Sequence, residues 1–267
     1  MHYPIEHYQK RLSVLHSRDP RIKIILIVLT VISVVTTPFK GFSIYDFLPF
    51  IGFAFILLVL TGMSKIPVRF YMYRLLPIFG FTFLIAVFIP FFNDGKEKIT
   101  LRILSYTLLL SRQGCILFLN AMLKAHLAGL ALIILLVTTR FPDLIKGLEK
   151  LKVHSLFLLL LSFFYRYIFV LRNEALRLER ARDTRYFGGR FFYQIGVYAR
   201  MIGTLFLRAY ERGERVYQAM IVRGYTGKPV LYNPLRLCSA DWVLLSVIGF
   251  LILVIRIAGV YYRELFR

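Results

Sequence analysis

The segment Ser155-Leu-Phe-Leu-Leu-Leu-Leu-Ser-Phe-Phe-Tyr-Arg-Tyr-Ile-Phe-Val-Leu171 runs without a break into Arg172-Asn-Glu-Ala-Leu-Arg-Leu-Glu-Arg-Ala-Arg-Asp-Thr-Arg-Tyr186. The side of a membrane on which its basic half stands decides the fold. A simple crossing by the apolar half would carry Arg172, Arg177, Arg180, Arg182 and Arg185 to the outside, against the preference of short basic loops for the cytoplasm. At about 17 residues, with Arg166 inside it and basic flanks, the apolar half predicts a helix lying along the cytoplasmic interface or dipping partway into the bilayer.

Outward from this segment, residues 140–236 hold 18 Lys/Arg against 7 Asp/Glu, a net +11 within a whole-chain charge of +21. The positive-inside rule puts that stretch in the cytoplasm. On the N-terminal side, four apolar segments are long enough to cross a bilayer core of about 30 Å: Ile22 to Pro38, Phe42 to Gly62, Tyr71 to Phe92 and Gly114 to Thr139. A fifth runs from Trp242 to Tyr262. Leu101 to Leu110 is apolar but too short to span, and reads as an extension of the fourth helix or an interfacial segment. Lys10, Arg11, Arg18, Arg21, Lys23, Lys65 and Arg69 fall inside on this count, the loop with Lys40 and Asp46 outside. Five spans then leave the N-terminus inside and the C-terminus outside, and a sixth span is the competing topology.

The expected fold is an all-α integral membrane protein of about five transmembrane helices plus a cytosolic amphipathic region. Its parts are a bundle over 1–139, the basic region over 140–236 and a last transmembrane helix over 237–267. Within the basic region, 172–190 and 196–226 predict two helices. Val197, Met201, Leu205, Val216 and Met220 recur at helical spacing on the second, opposite Arg200, Arg208, Glu211, Arg212 and Arg215. Gly188-Gly189 breaks the chain between the two, and Gly224, Gly227 and Pro229 end the second.

Composition agrees with a membrane protein: 58% of residues are hydrophobic and 16% aromatic, with a mean hydropathy of +0.66, well above a soluble domain of this length. The basic residues lie between apolar spans, which argues against nucleic acid as a partner. The polar N-terminus carries no apolar region with a small-residue cleavage site, so the first span is expected to act as its own insertion signal. Cys115 and Cys238 form neither a disulfide framework nor a metal-type spacing. His2, His7, His16, His126 and His154 are scattered, and Lys124 with His126 is spaced by two, off one helical face. Neither a metal site nor a cofactor is expected. Arg74 and Arg166 are expected to snorkel from span ends. No Walker A sequence or nucleophile elbow is present, and a lipid-modifying enzyme would need more than the scattered Asp143, Glu149, Glu174 and Glu179.

Two short arginine motifs stand at the predicted helix ends, Thr184-Arg185-Tyr186 and Val222-Arg223-Gly224. With their surroundings, Glu174-Ala-Leu-Arg-Leu-Glu-Arg-Ala-Arg-Asp-Thr-Arg185 and Glu214-Arg-Val-Tyr-Gln-Ala-Met-Ile-Val-Arg-Gly-Tyr225, they resemble the paired X-Arg-X motifs of the transmembrane T component of energy-coupling factor importers, in the CbiQ-type cobalt branch. The resemblance covers nearly the full chain. It includes Leu15-His-Ser-Arg-Asp-Pro-Arg-Ile-Lys23, Thr37-Pro38, Phe141-Pro-Asp-Leu144 and Tyr165-Arg-Tyr-Ile-Phe169. It implies a membrane bundle with coupling helices whose two arginine motifs dock on paired ABC-type ATPase subunits. It also implies a separate substrate-binding membrane subunit, CbiM-like, with a CbiN-like accessory subunit. The site residues so implied are Thr184, Arg185, Tyr186, Val222, Arg223 and Gly224, with Ala181-Arg182-Asp183 as the alternative register of the first motif. Arginine suits this task because its guanidinium stays charged and forks onto carboxylates. Cobalt is the implied cargo; nickel or a vitamin is the alternative.

Overall fold

Asp19 starts the first helix: its carboxylate accepts the Arg21 backbone N–H at 2.9 Å, and Pro20 occupies the first helical position, where a missing N–H costs nothing. The computed structural model describes residues 13, 15–39, 41, 44–92, 98–103, 106–185, 191–225 and 238–265. In chain order the elements are α1 (Pro20–Thr36), α2 (Ile44–Ser64), α3 (Val68–Ala86), α4 (Ile89–Phe92), β1 (Lys98–Ile103), β2 (Tyr106–Ser111), α5 (Arg112–Thr138), α6 (Phe141–Lys150), α7 (Ser155–Asp183), α8 (Phe191–Val222) and α9 (Ser239–Leu265). They group into two compact units, Met1–Gly147 with Pro234–Arg267, and Leu148–Asn233.

In the first unit α5 is central and packs on α1, α2, α3 and α4, while α9 packs on α1 and α2. Val34, Phe53, Leu57, Ile134 and Val137 are among the most deeply buried side chains and join α1, α2 and α5 through one hydrophobic cluster. The entry to α5 is capped by Ser111, whose hydroxyl accepts the Gly114 N–H at 3.3 Å. Gly114 is required there because a Cβ would fall 2.5 Å from the Pro90 Cα. The faces turned away from the core carry large apolar side chains, the pattern of helices solvated by lipid rather than water.

Among the described residues five helices are long and apolar enough to cross a membrane: Ile44–Ser64, Val68–Phe92, Arg112–Thr138, Ser155–Asp183 and Ser239–Gly259. The number equals the expected one, but the membership differs. At 17 residues, α1 is shorter than these five yet within the range that spans. The apolar segment opening α7 joins the set with the lowest mean hydropathy, 1.6 against 2.0–2.4 for the others.

Two expectations are corrected. The predicted break near residue 172 is absent: α7 is one helix of 29 residues. No Gly or Pro lies between Ser155 and Asp183, so nothing interrupts the backbone ladder when the side chains change from apolar to charged. Leu101 to Leu110 does not extend α5. It belongs to an antiparallel hairpin in register from Lys98↔Ser111 to Ile103↔Tyr106. Ile99, Thr100, Ile103, Tyr106 and Thr107 supply the β-branched and aromatic residues that favour strands.

One end of the first unit gathers several chain ends. The Lys23 ammonium at the start of α1 donates to the carbonyl of Thr138 at the end of α5, at 3.2 Å, and to that of His16 at 3.2 Å. Arg18 approaches Asp241, at the start of α9, to 3.7 Å. The chain therefore leaves the bundle after α5 and re-enters it at α9 at the same end.

Candidate functional site

The second unit is built on α7 and α8. Val197, Met201, Leu205, Val216 and Met220 form the partly buried stripe of α8, while Arg200, Arg208, Glu211, Arg212 and Arg215 are exposed, the division read from the sequence. On α7 the partly buried stripe is Leu171, Glu174, Ala175, Leu178 and Arg182, at the 3–4 residue spacing of one helical face. Glu174 holds Arg208 across the pair in an ion pair and approaches Arg177 on its own helix to 3.7 Å.

The first arginine motif follows the end of α7. Thr184 is the C-cap; its backbone N–H donates to Arg180 O at 3.1 Å and its hydroxyl to Ala181 O at 3.0 Å. The turn closes with the Arg185 N–H on Arg182 O at 2.9 Å. Arg185 is exposed, and Tyr186 lies outside the described residues. Arg182, the alternative register, is occupied inside the unit. Its Nε and Nη2 both donate to Asp183 Oδ1, at 2.9 and 2.5 Å, and its guanidinium lies 4.7 Å from the centre of the Tyr198 ring on α8. That cation–π contact fastens α7 to α8.

The second motif ends α8 in a two-bond cap. The Gly224 N–H donates to Ile221 O at 2.9 Å and the Tyr225 N–H to Met220 O at 3.0 Å, with Gly224 at φ +78°. This is the Schellman pattern, which needs a left-handed residue after the last helical turn and places Arg223 at the C-cap. Val222 is 88% exposed, and Arg223 and Gly224 are exposed beside it. Among the described residues neither Arg185 nor Arg223 forms an ion pair. The 25 residues from Tyr198, where Arg182 rests, to Arg223 amount to about 37 Å of helix. The motifs are therefore separate tips rather than halves of one pocket.

A cluster that the sequence did not single out sits in the first unit. Lys23 is only 5% exposed, and Asp19 and Asp241 are buried beside it. Asp241 also accepts the Cys238 N–H at 3.1 Å, closing the first turn of α9. The signal was present: a lysine one turn into an apolar helix directly after Asp19-Pro20-Arg21. By sequence alone it is one of several charges marking the inner side of the membrane. The in-span cations are placed individually. Lys124 donates to Val35 O at 2.8 Å, and Arg74 rests over Phe70 at 4.8 Å. His126 bonds Met122 O at 2.6 Å through Nδ1. Among the described residues no three His, Cys, Asp or Glu side chains gather as a metal site.

The CbiQ family, described as cobalt transport protein, matches residues 11–232, which takes in both arginine tips together with Asp19 and Lys23. The chain is 33% identical over 230 residues to the energy-coupling factor transporter transmembrane protein EcfT of Listeria innocua, covering 80% of this chain and 82% of that protein. Its identity to the protein of the same name from Thermanaerovibrio acidaminovorans is 24%, over 94% of this chain and 93% of the relative. A putative fused cobalt transport protein CbiMQ of Methanocorpusculum labreanum is 32% identical over 39% of this chain and 18% of its own length. A membrane-embedded helical chain matched in this way through its bundle and both tips belongs to the CbiQ family, the transmembrane components of energy-coupling factor transporters.

Proposed function

We propose that this chain is the scaffold of a cobalt importer, coupling ATP hydrolysis by two ABC-type ATPase subunits to a separate substrate-binding membrane subunit. Each ATPase takes one arginine tip, Arg185 with Thr184 and Tyr186, or Arg223 with Val222 and Gly224. The observation that carries this proposal is the contact of Arg182, three residues before Arg185, with Tyr198, from which about 37 Å of helix runs to Arg223, which suits two sites on two subunits. The engagement of Arg182 with Asp183 and Tyr198 supports Arg185 over Arg182 as the first tip. The cargo, cobalt ion, rests on the family description and on the relative in which CbiM- and CbiQ-type parts are fused. The membrane partner is accordingly CbiM-like, with a CbiN-like accessory subunit. The names of the two EcfT relatives specify no metal, so nickel or a vitamin is the second reading.

In this proposal residues 1–139 and 237–267 are the membrane bundle and 140–236 the cytosolic coupling region. The end of the bundle that gathers Arg18, Lys23, Thr138 and Asp241 faces the cytoplasm, because Lys65, Arg69 and Arg140 adjoin the helix ends near it. A chain that leaves and returns at that end makes an even number of crossings in between. Zero crossings is preferred, since α8, with Arg200, Arg208, Glu211, Arg212, Glu214 and Arg215, is too charged to return through the bilayer.

The test is capture of the ATPase subunits by the purified full chain. Replacing Arg185 and Arg223 together with Ala removes one partner of each docking charge pair, at about 2–5 kcal/mol per site. ATPase capture is expected to disappear while the chain stays membrane-inserted and monodisperse in detergent. Arg182→Ala should retain capture. Wild-type capture and cobalt uptake in the double variant would reject the assignment.

A further inference from the structure

We infer that the groove between α2 and α9 holds one acyl chain of an anionic phospholipid, with the lipid phosphate on Arg18. The groove has a volume of about 420 Å³ and is walled by apolar side chains, Val59 and Met63 from α2 and Val243, Val247 and Leu251 from α9, with Arg18 at one end. Val59, Val243, Val247 and Leu251 are all exposed, so the groove opens away from the core.

Its length and its polar end select the occupant. From Ala240 to Leu251, both on the wall, α9 rises about 16 Å, close to half of a hydrocarbon core of about 30 Å. The groove thus extends from the interface through one leaflet, the reach of a single acyl chain. A partner's transmembrane helix would need a seat running the full thickness. Arg18 stands where a phosphate would lie. Its approach to Asp241 is long, 3.7 Å from Nη1 to Oδ1, and its side chain is 23% exposed. A guanidinium has five donors and forks readily onto phosphate oxygens. Arg21 and Lys23 are balanced nearby by the carboxylates of Asp19, Asp143 and Asp241, so the contact to an anionic headgroup falls to the Arg18 guanidinium on the groove wall. This lipid site does not depend on the coupling role proposed above.

The experiment places the full chain in phosphatidylcholine vesicles containing a minority of phosphatidylglycerol. A trace of either lipid carries a diazirine at the end of one acyl chain, and the adducts are mapped by mass spectrometry after illumination. Adducts are expected on peptides from the α2 and α9 walls, above those on other lipid-facing helices. Val247→Trp, which fills the groove, should remove that excess. Arg18→Gln should abolish the preference for phosphatidylglycerol over phosphatidylcholine, about fivefold for one cation near an anionic surface. If Arg18→Gln does not fold, Val247→Trp still decides the outcome. Adducts spread evenly over the lipid-facing helices and unaltered by Val247→Trp would overturn the inference. So would a photoreactive residue at position 247 that captures a membrane protein in cells instead of lipid.

Discussion

Gly224 shows how one backbone angle can set the position of a neighbouring side chain, that of Arg223. At φ +78° a Cβ meets the following carbonyl, a strain of about 1–2 kcal/mol for an L-residue. Gly224→Ala is therefore expected to fray the last turn of α8 and weaken ATPase capture by about tenfold. Its helical circular dichroism should stay within a few residues of wild type. Unchanged affinity would separate the Arg223 tip from its cap. The choice between Arg182 and Arg185, by contrast, was not legible in the sequence, where both follow the same charged helix. The two differ in surroundings through Tyr198, 16 positions beyond Arg182, which receives the guanidinium of Arg182 while Arg185 stays exposed. Lys23 was equally hidden, since a lysine at a membrane border ordinarily faces water. Its two bonds to carbonyls and its burial predict that Lys23→Met lowers bundle stability by about 3 kcal/mol, measured by thermal unfolding in detergent.

At the scale of the elements, hydrophobic segments located the bundle helices because a bilayer imposes length and apolarity together. The amphipathic division of α8 was legible for the same reason: Val197, Met201 and Leu205 on one side and Arg200 and Arg208 on the other leave one workable face. Continuity was harder to read. A change from apolar to charged side chains at Leu171-Arg172 looks like a boundary, but a helix ends only where its backbone is interrupted or capped. The hairpin was missed because leucines in Leu101 to Leu110 outweighed the β-branched residues around them. The α7–α8 link is open to direct measurement. A double-mutant cycle on Glu174→Ala and Arg208→Ala should give a coupling of about 0.2–1 kcal/mol, falling with added salt, as expected for an ion pair with an exposed arginine. A coupling of several kcal/mol that persists in high salt would show that Glu174 is held in a far less solvated setting.

For the whole molecule, the Lys23–Thr138 and Arg18–Asp241 contacts reduce the topology to a question of parity, because departure and return at one end require an even number of crossings between α5 and α9. In a background lacking Cys115 and Cys238, Phe92→Cys is expected to react with an impermeant thiol reagent in intact cells and Thr184→Cys to be shielded. The reverse pattern would invert the orientation, and labelling of both would place the first arginine tip outside.

The span of α8 beyond Arg208 makes that helix a lever. Its known fastenings to α7 are the Arg182–Tyr198 contact and the Glu174–Arg208 pair, both at partly exposed sites where such interactions contribute about 1 kcal/mol or less. From Arg208, the farther fastening, about 22 Å of helix reaches to Arg223, so a rotation of about 10° about this soft pivot carries Arg223 through about 4 Å. Small angular changes at the hub thus become displacements large enough to shift one packed helix past another at the tip, without breaking a hydrogen bond within α8.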